Sequence, residues 1–183
     1  MTDNTTIYEI TEGSDAILSF KGEYGFLSNF KRAAIVADGV EYTTLEHAYQ
    51  ALKTLDPEKR EVIRLKANPH WARQASRAKS FIVREGWETM RVGVMRALLE
   101  QKFTRHHRLA AQLLETGDRV IAEATTWGDD LWGVVQGEDG VWRGQNLLGV
   151  LLMEVRDGLA SGKLLPSDDY GTEAESYGTE AKS

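Results

Sequence analysis

The sequence predicts a mostly helical α+β domain with small β elements at its edges. Most of the chain between residues 43 and 115 shows helical spacing of apolar residues, interrupted by capping residues and prolines. Two shorter runs, at 33–42 and 127–144, are rich in β-formers and glycine instead. A largely apolar stretch follows the second run and suits one buried helix. A chain of 183 residues can bury a sizeable core in a single domain.

Composition excludes several classes of protein. The sequence has no cysteine, so disulfides, thiolate catalysis and cysteine-ligated metals are excluded, which suits a cytoplasmic protein. It has no apolar run of about eighteen residues, so we expect no transmembrane helix and no membrane partner. The first residues have neither a basic start nor an apolar segment, so we expect no signal peptide.

Both ends of the chain are expected to lie outside the folded domain. The tail contains the repeat YGTEAES followed by YGTEAKS, which lacks apolar periodicity and is rich in glycine and acids. We expect a flexible N-terminus at 1–14, one domain at 15–163 and a disordered acidic tail at 164–183.

The first expected elements are strands. AILSF at 16–20 has the composition of a short strand, and AAIVADGVEY at 33–42 predicts a hairpin. The hairpin turn is Asp38-Gly39, a dipeptide that tolerates the positive φ angles of a tight turn. Thr43 then opens a helix over TTLEHAYQALKT.

Prolines mark the next helices. Asp56-Pro57 closes the first helix and supplies the cap and first turn of the second, and Asn68-Pro69 repeats this signal for a third. A longer helix is expected near 87–103, followed by one at about 105–115 that ends near Gly117. The apolar face of the longer helix contains Trp87, Met90, Val94 and Leu98.

The character of the sequence changes after Gly117. RVIAEAT predicts a strand, and WGDDLWGVVQGEDGVWRG predicts a loop and a hairpin. Asn146 then caps a helix over LLGVLLMEVRDGL, which is apolar enough to cross the centre of the domain.

Three polar residues of the first helix share one face. Glu46, Gln50 and Lys53 follow one another at i, i+4 and i+7, the spacing that apolar residues use to face a core. One explanation is structural, because Thr43-x-x-Glu46 has the form of a capping box and the other two side chains can be solvated. The other explanation is a cavity, in which a carboxyl group acts as general acid or base and a desolvated amine acts as nucleophile.

Two loops carry residues that suit a ligand with a flat ring, a ribose and a phosphate. GEYGFLSNF at 22–30 is glycine-rich, so its backbone N–H groups can approach a phosphate or sugar. WGDDLWG at 127–133 contains tryptophans whose faces can stack on a planar base. Taken alone, each loop is better explained by aromatic side chains packing in the core. Together with the polar face, the two loops favour an active site.

The usual metal and cofactor motifs are missing from the sequence. EHAYQ is not HExxH, and His106-His107 are adjacent with no evident third ligand. No P-loop, GxGxxG or GxSxG is present. We therefore expect no metal site and no cofactor.

The sequence resembles the NADAR, or YbiA-like, domain family. The resemblance is carried in order by GEYGFLSNF, TLEHAYQALK, GWETMRVGVMRALLEQKF, DDLWG and GQNLLGVLLMEVR, which span about residues 20–156. It implies a compact, single-domain YbiA-like fold, mainly helical with small β-hairpin elements. It also implies cleavage of an N-glycosidic bond, either in phosphoribosylamino intermediates of riboflavin synthesis or between ADP-ribose and guanine in nucleic acid.

The resemblance assigns roles to particular residues. Glu46 matches the family's catalytic glutamate, and Lys53 matches a lysine proposed to attack the opened ribose C1 as an amine. Gly25 and Asn29 match a loop that lies against the ligand. The remaining residues expected to bind substrate are Gln50, Trp87, Asp129, Trp132 and Asn146.

Charge is the main departure from the family pattern. The chain has Lys31-Arg32 where the family often has an aromatic residue, and Ser76-Arg77 where it often has Gly-Arg. Residues 58–84 hold eight Lys or Arg against two Glu, which either attracts phosphate or nucleic acid or forms a solvated helical surface. From charge alone, Lys31, Arg64 and Arg77 are candidate phosphate ligands.

We therefore expect a metal-independent N-glycosidase acting on an ADP-ribosyl or phosphoribosyl base. ADP-ribosylated guanine in DNA or RNA is the favoured substrate, and a riboflavin-biosynthesis intermediate is the alternative. Two other classes remain open, namely a non-catalytic module that binds ADP-ribose or a nucleotide, and a structural protein with a pocket left from an enzyme ancestor.

Overall fold

Helices are the most abundant regular structure in residues 7–165, the range that the computed structural model describes. Two small sheets lie beside them, which confirms the predicted α+β class. A short 3-10 helix, Gly22–Leu27, precedes the first sheet hairpin. The strands are β1 (Tyr8–Ile10), β2 (Arg32–Ala37), β3 (Val40–Thr44), β4 (Ala124–Thr125), β5 (Val134–Gln136) and β6 (Trp142–Gly144). The helices are α1 (Leu45–Ala51), α2 (Pro57–Arg64), α3 (Pro69–Ala75), α4 (Trp87–Arg105), α5 (His107–Leu114) and α6 (Leu147–Ala160).

Strands β2 and β3 form the hairpin predicted around Asp38-Gly39. Ala37 pairs with Val40 across a two-residue turn. Asp38 and Gly39 both adopt positive φ angles, 48° and 76°. Positive φ at both turn positions matches the right-handed twist of the flanking strands, so the dipeptide determines the register here.

The second sheet has the order β1-β6-β5-β4. Strands β5 and β6 confirm the hairpin predicted within 127–144. Strand β1 pairs Tyr8 with Gly144, so part of the segment 1–14 belongs to the sheet rather than to a flexible end. The physical reason is burial, because Ile10 packs in a small apolar cluster with Ala122 and Val134.

Two predicted strands are shorter than expected. AILSF contributes one isolated parallel bridge, from Ile17 to Ile121 of RVIAEAT, and the only named strand in RVIAEAT is β4. Ala122 donates to the Ile17 carbonyl, but Ala124 then donates to Leu18, one residue earlier than a regular parallel ladder requires. This irregular register ends the pairing after one bridge.

Capping residues begin the central helices. Asp56 and Asn68 accept hydrogen bonds from first-turn backbone amides of α2 and α3, which confirms both proline-marked starts. The cap of α1 is Thr44 rather than the predicted Thr43, and its Oγ1 accepts from the amide of His47 at 3.3 Å. This shift of one residue removes the Thr43–Glu46 capping box and leaves the Glu46 carboxyl group free for other partners.

Helix α1 lies at the centre of the domain, and all its residues from Leu45 to Ala51 are buried. It contacts α2, α3, α4 and the β2–β3 hairpin. Helix α6 also supplies core residues, as predicted. The buried face of α4 differs from the prediction, because Met90 is 36% exposed whereas Met95, Leu99 and Phe103 are buried.

Within residues 7–165, no helix is long and apolar enough to span a membrane. The predicted acidic tail at 164–183 lies outside the described residues from position 166 onward.

Candidate active site

A cavity of about 310 Å³ opens beside α1. Its walls come from α1, α3, α4, the loop after the 3-10 helix, and the segment around β4 and β5. Its size lies at the low end of the range for small-molecule sites. The lining residues are Asn29, Glu46, Tyr49, Gln50, Lys53, Arg73, Arg77, Val83, Trp87, Glu88, Arg91, Met95, Glu123, Trp127, Asp129, Trp132 and Leu148.

The cavity brings together eight of the twelve residues that the sequence singled out. Glu46 and Lys53 both line it, as the polar face of the first helix predicted. The other six are Asn29, Gln50, Arg77, Trp87, Asp129 and Trp132.

Four predicted site residues do not line the cavity. Asn146 is buried in the core, where its Nδ2 donates to the Ile121 carbonyl at 2.8 Å and holds the start of α6. Arg64 lies on α2 and pairs with Glu61. Lys31 is exposed and Gly25 belongs to the 3-10 helix, both away from the lining. The family resemblance identified segments close to the cavity, but it could not show which side chains of each segment face it.

Glu46 is held by a network of hydrogen bonds. It is 2% exposed, and its Oε1 accepts from Gln50 Nε2 at 2.9 Å and from Arg73 Nε at 2.8 Å. Ser76 Oγ donates to Gln50 Oε1 at 2.6 Å, which fixes the amide. Gln50 therefore uses both ends of its amide on the protein and orients the Glu46 carboxylate.

Lys53 lies just after the end of α1, with its Nζ 5.3 Å from the centre of the Tyr49 ring. Burial lowers the pKa of Lys53, the Glu46 carboxylate opposes this effect, and Arg73 and Arg77 lower the pKa further. A lowered pKa raises the fraction of neutral amine, which is the nucleophilic form.

Three aromatic rings form one wall. Tyr49 lies between Trp87, with ring centres 5.2 Å apart, and Trp132, with ring centres 6.0 Å apart. The backbone N–H of Trp132 donates to Asp129 Oδ1 at 2.9 Å, so Asp129 shapes the turn that presents this ring. The wall excludes water from one side of the cavity, which strengthens the electrostatic contacts inside it.

The loop carrying Asn29 is tied to both α1 and α4. The Asn29 carbonyl accepts from the backbone amide of Glu46 at 3.0 Å. The fully buried Lys102 donates from Nζ to the carbonyls of Phe26 and Ser28, at 2.7 and 2.9 Å. Burial also lowers the pKa of Lys102 to about 7. The loop therefore has a fixed position relative to the Glu46 carboxyl group.

Three important lining residues were missed by the sequence analysis, namely Tyr49, Arg73 and Glu123. Tyr49 lies within TTLEHAYQALKT but is not one of the three polar residues that share a face there. Arg73 lies within the basic segment 58–84. The signal that could have singled it out is the acid Glu46, which needs a nearby cation once it is buried. Glu123 has no signal in the sequence, because it lies in a stretch that predicted only a strand.

The chemistry open to this cavity follows from its side chains. It combines a carboxylate paired with a cation, an amine with a lowered pKa and an aromatic wall, which suits attack on an electrophilic carbon next to a planar group. Within residues 7–165, no group of three or more His, Asp or Glu is placed to hold a metal ion.

Comparisons with known proteins show which family and fold this chain resembles. Residues 18–160 match the NADAR domain. N-glycosidase YbiA of Escherichia coli strain K12 is 40% identical over 152 residues, which cover 81% of this chain and 92% of that protein. A riboflavin biosynthesis protein of Vibrio vulnificus is 38% identical over 136 residues, covering 74% of this chain and 36% of that protein. The NMR structure of Escherichia coli YbiA matches with a TM-score of 0.68 at 37% identity, over 90% of this chain and 95% of that one.

Proposed function

The chain belongs to the NADAR domain family and is an N-glycosidase, and from this premise we propose that it removes ADP-ribose from guanine in nucleic acid. The groups that carry the chemistry are the Glu46 carboxyl and the Lys53 amine. The observation that supports this assignment is their position in one cavity, against the wall formed by Tyr49, Trp87 and Trp132.

Lys53 acts as the nucleophile. Its nitrogen forms a bond to ribose C1 while the bond between C1 and the base nitrogen breaks, and the electron pair of that bond leaves with the base. The proton that the amine loses passes to Glu46. The C1–O4′ bond of the ribosyl ring then breaks as the C1=N bond of an imine forms, and the ring oxygen takes the proton that remains on that nitrogen. Water then hydrolyses the imine, Glu46 returns its proton to the nitrogen, and the sugar is released as the amine is regenerated.

Glu46 is suited to proton transfer because its carboxylate is fixed in place. Arg73 and Gln50 donate to Oε1, which leaves Oε2 without a hydrogen bond from the described residues 7–165. A positioned base of this kind typically contributes a factor of about 10²–10⁴ in rate.

The mouth of the cavity favours a large substrate. Val83 and Trp127 line it while being 46% and 61% exposed, so the cavity opens to solvent there. Arg77 is also exposed, and within residues 7–165 no acidic side chain pairs with it. A free guanidinium and an exposed indole at an open mouth suit a phosphate and an adjoining base of a nucleic acid.

The free riboflavin-type intermediate is the second candidate substrate. It is favoured by the name of the Vibrio vulnificus relative and by the modest cavity volume, which suits a single phosphoribosyl base. The absence of cysteine suits action in the cytoplasm with either substrate.

The test offers both substrates to the purified protein. We expect release of ADP-ribose from an ADP-ribosylated guanine oligonucleotide, measured by mass spectrometry, to be faster than cleavage of a phosphoribosylaminopyrimidine. Glu46→Gln and Lys53→Ala should each reduce turnover at least about 100-fold, while Lys163→Ala, a change at an exposed lysine outside the cavity, should not. Binding of ADP-ribose without turnover of either substrate would identify a non-catalytic module instead.

Salt dependence separates the two substrates further. Contacts to several phosphates make KM rise steeply with ionic strength for an oligonucleotide. A small intermediate held by one phosphate should show a weak dependence. A KM for the oligonucleotide that is insensitive to salt would contradict a role for Arg77 and the basic segment 58–84.

A further inference from the structure

Besides Glu46 and Glu88, the cavity contains a third glutamate, Glu123, which immediately precedes β4. Its backbone is firmly placed, because its carbonyl accepts from the amide of Val134 at 2.9 Å. Gly133 allows the two segments to approach closely, since a Cβ there would lie 2.2 Å from the Glu123 carbonyl oxygen. The Glu123 side chain therefore projects from a rigid strand edge, where a group can be positioned accurately.

The carboxyl of Glu123 differs from the other cavity acids in having no partner. Within residues 7–165, no side chain or backbone group forms a hydrogen bond with it. By contrast, Glu46 is bonded to Arg73 and Gln50, and Asp129 accepts from the Trp132 amide. Glu123 is half-buried, and its carboxyl oxygens are not enclosed in the core, so they are open to a ligand in the cavity.

The surroundings of Glu123 favour its protonated form. Burial is the main cause and raises the pKa of Glu123 to about 7, with smaller contributions from the Asp129 and Glu46 carboxylates, while the Arg73 guanidinium opposes them. The other charged groups lining the cavity are Lys53 of the α1 end, Arg77 of the segment after α3, and Glu88 and Arg91 of α4. Two of these, Glu88 and Arg91, pair with each other at 2.8 Å.

Glu46 and Glu123 thus have different environments in one cavity. Glu46 accepts hydrogen bonds from the Arg73 guanidinium and the Gln50 amide, whereas Glu123 lies near Arg73 and two carboxylates but accepts no hydrogen bond within residues 7–165. Where two carboxyl groups of one site have such different surroundings, one can act as a base and the other as an acid. The departing base needs such an acid, because it leaves with the electron pair of the broken bond.

We propose that Glu123 is the catalytic acid that protonates the departing base, while Glu46 accepts the proton that the Lys53 amine loses. This proposal rests on the N-glycosidase reaction proposed above. As the bond from C1 to the base nitrogen breaks, the proton of the Glu123 carboxyl moves to the base, which leaves neutral. The resulting carboxylate then takes a proton from the water that hydrolyses the imine, and Glu123 returns to its protonated form. The net reaction consumes one water and yields the sugar and the neutral base.

The test compares the wild type with Glu123→Gln over a range of pH. With whichever substrate the wild type turns over, kcat should fall as pH rises through about 7, because Glu123 loses its proton there. Glu123→Gln should lower kcat at least about 100-fold, change KM little, and remove this alkaline limb from the residual activity. Glu138→Gln removes an exposed carboxyl outside the cavity and should leave both kcat and the pH profile unchanged.

A substrate with a better leaving group gives an independent readout. A ribose 5-phosphate carrying 4-nitrophenol on C1 releases the stable 4-nitrophenolate anion, which needs no proton. Glu123→Gln should therefore retain most of the wild-type rate with this substrate. Loss of rate with this substrate equal to the loss with the base-linked one would indicate a structural role and overturn the proposal.

Failure of this proposal is distinguishable from failure of the proposed function. A wild type that cleaves an N-glycosidic bond, together with a Glu123→Gln variant within about threefold of it or with an unchanged alkaline limb, rejects the acid role alone. A wild type that cleaves neither the oligonucleotide nor the phosphoribosylaminopyrimidine rejects both.

Discussion

Replacing Glu123 by Gln should stabilise the protein at neutral and alkaline pH. In the folded state burial raises the pKa of Glu123 from its ordinary value of 4.5 to about 7. Below pH 4.5 the side chain is protonated in both the folded and the unfolded state. As pH rises from 4.5 through 7, the unfolded state loses this proton first, so the wild type loses stability. The glutamine side chain does not titrate, so the variant does not lose stability in this way.

The size of the effect follows from the two pKa values. A pKa difference of this size corresponds to about 3 kcal/mol, and it is an upper figure because the side chain is only partly shielded from water. The free energy of unfolding of Glu123→Gln minus that of the wild type should therefore increase by up to about 3 kcal/mol between about pH 4 and pH 8.

Urea unfolding at a series of pH values measures this difference, and effects of the other titratable groups cancel because both proteins share them. Glu138→Gln is the matched control and should show no such trend. A difference between Glu123→Gln and the wild type that is constant across the pH range would refute the claim that the buried carboxyl holds its proton.

Three further predictions concern the residues around the site. Lys102→Met should lower the free energy of unfolding by about 3 kcal/mol in urea melts, because it leaves the buried carbonyls of Phe26 and Ser28 without a donor; unchanged stability would contradict this reading of Lys102. Ser76→Ala should lower kcat several-fold while costing only about 1 kcal/mol in stability, because Gln50 loses the hydroxyl that fixes its amide; a change confined to KM would argue against it. Gly133→Ala should destabilise the fold by about 1–3 kcal/mol, because a methyl group there collides with the Glu123 backbone. A neutral effect in the same urea assay would show that the segments containing Gly133 and Glu123 can move apart at no cost in stability.

Much of the fold was predictable because local rules decide it. Asp38-Gly39 sets its turn through positive φ angles, and the Asp56-Pro57 and Asn68-Pro69 pairs start their helices with side-chain caps. The cap of α1 was misplaced by one residue, since adjacent threonines at 43 and 44 compete for the position and only tertiary packing chooses between them. The strand at 16–20 failed for a similar reason, because its partner is more than a hundred residues away in the sequence.

The candidate site was predictable only along α1. Spacing placed Glu46, Gln50 and Lys53 on one face, and all three side chains line the cavity. Arg73 and Glu123 reach the same cavity from other elements, and no local pattern links them to Glu46. Asn146 shows the opposite case, since a residue matched to the family's pocket serves the packing of α6 on Ile121 instead.

Trapping with borohydride during turnover is the most direct test of the proposed chemistry. Reduction should convert the imine to a stable amine, and peptide mass spectrometry should then find the sugar attached to Lys53. The Lys53→Arg variant, which keeps the positive charge but cannot form the imine, should show no adduct and no turnover. Wild-type turnover that leaves Lys53 unmodified, or places the adduct on another lysine, would contradict the account.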